Sequence, residues 1–102
     1  MITNIITAIV TAYVATGHLT ANGHVPAIQH TIAVPRTIPF GSKIIIDNQI
    51  YIAEDRMNKR FPNRFDIFMS NNNDALTWGK QTKKVTIIHD CIGFNTTDYS
   101  DR

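Results

Sequence analysis

Two aspartates eleven residues apart, Asp55 and Asp66, frame the stretch EDRMNKRFPNRFD at residues 54–66. The residues just outside it, IYIA before and IFM after, read as buried strand, so each acid stands at the mouth of a strand. The chain has only eight acidic residues against ten basic ones, and two of them at strand ends suit proton transfer. A carboxyl kept protonated by burial or by a neighbouring like charge can give its proton to a leaving oxygen. Cleavage of a glycosidic bond uses such groups: one acid protonates the departing oxygen as the sugar becomes oxocarbenium-like, and in hydrolases a second carboxylate activates water or attacks the sugar. Asp66 is the candidate proton carrier, with Asp55 as the second charge. Arg64, on the same strand face as Asp66, would favour the ionised form unless it turns toward a substrate carboxylate or toward Glu54. Taken alone, an aspartate in such a place is more commonly an exposed strand acid or a turn cap.

The elements that must carry these residues are mostly short strands. Residues 5–14 are dominated by β-branched side chains and predict a first strand. The segment ATGHLTANGHVPAIQH, with its glycines and proline, predicts a long surface loop. A short strand follows at 31–34, and PRTIPFG then bends the chain twice. The apolar runs 44–46 and 50–53 flank Asp47, Asn48 and Gln49 and predict a hairpin. In residues 64–69, Phe65, Ile67 and Met69 alternate with Arg64, Asp66 and Phe68, so one face fills a core and the other carries Asp66 outward. SNNNDALTWGK predicts one short helix with Ser70 or an asparagine as cap, Ala75, Leu76 and Trp78 as its apolar face, and Gly79 at its end. A last strand spans 83–89. About six strands and one helix make a mainly β chain. A small closed barrel is the expected architecture, because closure removes exposed edges and few lysines stand where they would protect one.

At 102 residues the chain predicts one domain. The single cysteine, Cys91, has no internal partner, and His18, His24, His30 and His89 are not at ligand spacing, so neither a disulfide nor a metal site is expected, and no cofactor. Four of the basic residues, Arg56, Lys59, Arg60 and Arg64, cluster in the 54–66 stretch, but aromatics are not interleaved with them as a nucleic-acid platform requires. No apolar run reaches the roughly 20 residues of a membrane-spanning helix. The opening MITNIITAIVTAYVATG has no positive residue ahead of its apolar part and reads as strand rather than export signal.

In order, the pieces TAY (11–13), TANG (20–23), IAVPRTIPFGSKI (32–44), AED (53–55), NRFDIFM (63–69) and DALTWGKQTKKVTII (74–88) resemble the 3D domain. That family is named for three aspartates and grouped with the double-psi β-barrels, alongside membrane-bound lytic transglycosylase A and the rare lipoprotein A type. The resemblance covers roughly residues 10–88, leaving 89–102 as a tail. It implies a six-stranded double-psi barrel acting on peptidoglycan glycan strands at the bond between their two amino sugars. By position in the motifs, the catalytic aspartate falls on Asp66 and its companion on Asp55, with Thr20, Gly23, Tyr13 and Arg64 as candidate substrate contacts. The sequence departs from the family in two places: IAVPR lacks the usual aspartate, and RMNKRFP replaces the small residues that commonly follow AED. The alternative reading is a non-catalytic module, either a virion or tail component or a cell-wall-binding domain. In the absence of an export signal, cytoplasmic synthesis is expected, with action at the wall after phage lysis or within a virion, where virion proteins would be further partners.

Overall fold

The computed structural model describes residues 1–90; Cys91 and the rest of the tail lie outside them. Six strands and one helix follow in the order β1 (Ile2–Tyr13), β2 (Thr31–Val34), β3 (Lys43–Ile46), β4 (Gln49–Arg56), β5 (Arg64–Phe68), α1 (Asn72–Trp78) and β6 (Gln81–His89). The strands close into a barrel in the order β1-β5-β2-β4-β3-β6. The chain is thus mainly β, a closed six-stranded barrel with one short helix, as its alternating apolar runs predict. Two ladders are parallel, β1 with β5 and β2 with β4, and the other four are antiparallel.

The core is built from the inward residues of each strand, among them Val10, Ile32, Ile44, Phe65 and Val85, all with no exposed surface. β2 coincides with its predicted span. The hairpin forms between β3 and β4 with Asp47 and Asn48 both at positive φ, 51° and 65°, the geometry a two-residue turn of this hand requires. Asp47 also ion-pairs with Lys83 on β6 at 2.8 Å. β1 starts earlier than predicted because β6 runs beside it from its first residue, Ile2 opposite His89. Up to residue 8 it pairs only with β6, so this first part overhangs the barrel, and Ile5 is left 62% exposed.

Asn71 caps α1, its side chain accepting from the Asp74 N–H at 2.8 Å, and Gly79 at φ 67° donates its N–H to the Ala75 carbonyl. The predicted apolar face of α1 needs correction: Leu76 is 78% exposed, and no residue of the helix is fully buried. Trp78 does the docking instead, packing on the core while its indole N–H donates to the Val10 carbonyl at 3.0 Å.

One irregularity decides which side chains share a face. Along the β2–β4 ladder Ile32 pairs with Ala53, but Ala33 pairs with Asp55, so β4 carries one extra residue, Glu54. A bulge of this kind places consecutive side chains on one side of the sheet. Ile32 and Ala53 point into the core. Glu54 hydrogen-bonds Thr31 and Asp55 lies beside Ala33, and Thr31 and Ala33 are two apart on β2, so both acids face outward.

Candidate active site

Three ladders in register draw a line across the outside of the barrel. Thr11 on β1 pairs with Asp66 on β5, Asp66 with Ala33 on β2, and Ala33 with Asp55 on β4. The two aspartates therefore flank one alanine. With strands about 4.8 Å apart, their Cα atoms lie roughly 10 Å from each other on one face. Ala33 is also the second residue of IAVPR, the segment whose departure was noted in the sequence.

Asp66 is the perturbed acid. Burial pushes its carboxyl up to about 6, the Thr11 hydroxyl donating to Oδ1 at 3.1 Å pulls it back, and the Asp55 charge raises it again. Replacing Thr11 by Val removes the opposing hydrogen bond and is expected to raise the Asp66 pKa, measurable by NMR titration of its side-chain carbon. Arg64 does not take part in this balance. Its guanidinium stacks over the Phe61 ring at 4.4 Å.

Asp55 is held by three donors. The Tyr13 hydroxyl gives to Oδ2 at 3.0 Å, and the N–H groups of Ala21 and Arg56 give to Oδ1 at 2.9 Å each. Burial, then the Asp55 charge and its hydrogen bond, hold the Tyr13 phenol far above its ordinary range, so it stays a donor. Tyr13 also meets Phe68 edge to face at 5.4 Å. This explains why Phe68, on the outward face of β5 with Asp66, is nonetheless buried. Tyr13→Phe should cost about 1.5–3 kcal/mol, the range for a hydrogen bond to a charged group, read by denaturant unfolding.

The long loop is tied down by the bulge. The Asn22 N–H donates to the Glu54 carbonyl, while the Glu54 carboxylate accepts from Thr31 at 2.7 Å and lies 3.7 Å from His24 and 3.5 Å from His30. Glu54 thus faces the histidines rather than Arg64. Thr20 is buried and its hydroxyl is engaged inside its own loop, donating to Asn22 at 2.7 Å and accepting from the His24 N–H at 3.0 Å. Gly23, at φ 88°, closes the same turn through its N–H to the Thr20 carbonyl. Arg56 packs over the Phe40 ring and donates to the Pro35 and Ile38 carbonyls, which fixes the PRTIPF bend.

The structure therefore brings Asp55, Asp66 and Tyr13 together, places Thr20 and Gly23 in the loop that covers Asp55, and turns Arg64 aside. Sequence reasoning missed Thr11 and the Ala21 N–H. Thr11 sits two residues before Tyr13 on one strand face, but only the β1–β5 register reveals what it touches. Among the described residues no group of three or more His, Cys, Asp or Glu is placed to hold a metal ion. Nor is any described helix long and apolar enough to cross a membrane.

A family model for the 3D domain matches residues 30–89, more than half of the chain and all of β2 through β6. The chain belongs to the 3D domain family. No curated protein and no solved structure matches it. Within the 3D domain match lie both aspartates and the bulge at Glu54, whereas Thr11, Tyr13 and the 20–23 turn stand before it. Their part in the site rests on the contacts above.

Proposed function

We propose that this 3D domain cuts peptidoglycan glycan strands as a lytic transglycosylase. The observation that carries the reading is Asp66, its carboxyl pushed up to about 6, facing outward beside Asp55 across Ala33. A single such acid suffices for both half-reactions. The Asp66 carboxyl gives its proton to the glycosidic oxygen as the C1–O bond breaks. The carboxylate left behind takes the proton of the muramic acid C6 hydroxyl, whose oxygen closes on C1. No water is consumed, and the product is a 1,6-anhydro sugar. Tyr13 and two N–H groups fix Asp55 in place, and its charge opposes the ionisation of Asp66.

The test is to incubate purified sacculi with the wild type and with Asp66→Asn and to identify the released muropeptides by mass. Anhydro products that vanish in the variant support the proposal. A hydrolysed product, heavier by one water, excludes the non-hydrolytic route.

The second reading is a wall-binding or virion module that keeps the barrel without turnover. It is favoured by the absence of an aspartate in IAVPR and by the inward-turned Thr20 hydroxyl. Sedimentation with sacculi without any released product would decide for it. Action at the wall after lysis or within a virion belongs to either reading, and detection of the chain in purified particles would separate those contexts.

A further inference from the structure

A cavity of about 510 Å³, which neither aspartate lines, opens between α1 and the loop preceding β2. That volume is within the roughly 300–1,000 Å³ of small-ligand pockets. Three aromatic residues, Tyr51, Phe68 and Trp78, are among those that line it. Trp78 is preset: its N–H is given to the Val10 carbonyl, and its own carbonyl accepts from Gln81 at 2.9 Å. Gln29, Asp74 and Gln81 supply amide and carboxylate groups, and no lysine or arginine lines the space.

This chemistry selects among ligands. An anion would meet a carboxylate and no lining cation, since the Lys83 ammonium, 5.6 Å from the Trp78 ring, is paired with Asp47. A wholly apolar group would displace water from these polar groups without replacing its hydrogen bonds, which costs free energy. A neutral ring with one apolar face, hydroxyls at its edge and an amide bearing a methyl group satisfies both surfaces. An N-acetylated amino sugar is such a ring.

The cavity is also next to the acid. Phe68 lies two residues beyond Asp66 on β5, roughly 6.7 Å along the strand, which is on the scale of one sugar ring. Tyr13, which holds Asp55, meets the same Phe68 edge-on.

We propose that this cavity is a saccharide subsite holding one N-acetylhexosamine ring of a strand whose neighbouring linkage lies at Asp66. The proposal deepens the glycan reading given above and rests on it.

Trp78 is the chain's one tryptophan, so its emission reports on this cavity directly. Titration of the intact protein with the trimer of N-acetylglucosamine should shift that emission saturably, whereas the glucose trimer, which has no acetamido group, should not. Asp66→Asn, which has no acid to cleave the trimer, should still shift the emission saturably, because Asp66 does not line the cavity. Ile28 lines it from the loop and is 54% exposed, so Ile28→Asp should fold normally and weaken binding about tenfold. No response to the acetylated trimer, an equal response to both trimers, or an unchanged affinity in Ile28→Asp would overturn the subsite. Sacculi that yield no Asp66-dependent product while the emission response persists would count against the cleavage reading and for the subsite.

Discussion

Asp66→Asn is expected to reduce release of anhydro-muropeptides by about 10²- to 10⁴-fold, the contribution of one positioned acid and base. The amide keeps the size of the carboxyl and can no longer give or take a proton. The wild type should lose activity as pH rises through about 6, because the protonated Asp66 that starts the reaction is depleted there. The same substitution should make the protein more stable at neutral pH. A carboxyl whose folded pKa lies above its unfolded value of 3.8 binds protons more readily in the native state. Its contribution to stability is present below the unfolded value and is lost as pH climbs through the folded one. At pH 7 that loss amounts to an order of 1–3 kcal/mol, from about 1.4 kcal/mol per pKa unit. Asn has no such penalty, so its melting temperature should exceed that of the wild type at pH 7 and approach it at pH 4, as read by circular dichroism. A variant that keeps full activity and is no more stable at pH 7 would argue that Asp66 is an ordinary surface acid.

Phe65→Ala is the substitution expected to damage the fold most. Phe65 has no exposed surface, pairs with Val10 across the β1–β5 ladder, and stands beside Asp66 in sequence. Removing a buried ring costs about 3–5 kcal/mol, a large share of the roughly 5–15 kcal/mol that a domain has in total. At about 4–8 °C per kcal/mol for a chain of this size, the midpoint should fall by roughly 12–40 °C. Leu76→Ala is the control: Leu76 is exposed on α1 and should change stability by less than about 0.5 kcal/mol. Comparable losses in the two variants would mean that the helix is packed differently from the arrangement described.

What could be read from the sequence was local. The strand at 31–34, the turn at Asp47 and Asn48, and the alternation around Asp66 all follow from residues within a few positions of one another. The same holds for the outward direction of Asp66, which strand periodicity alone supplies. The remainder depends on partners far along the chain. Thr11 meets Asp66 only because β1 lies parallel to β5, and Tyr13 reaches Asp55 only because the barrel sets β4 two strands beyond β5. Leu76 misled for the opposite reason: its spacing suits a buried helical stripe, but α1 is too short to present one and docks through Trp78. The glycan-facing role expected of Thr20 met a similar limit, since its hydroxyl had nearer partners in its own turn.

The extra residue in β4 makes the site a matter of counting. Glu54 and Asp55 are adjacent, and in an unbroken ladder neighbours point to opposite sides, so one of them would be driven into the interior. Ironing out the bulge while keeping every residue would set Glu54 opposite Ala33 and turn Asp55 toward the interior, away from Asp66. The partnership between the two aspartates thus depends on the parity of one strand, and a frame error of one residue there would undo it as completely as loss of either carboxylate.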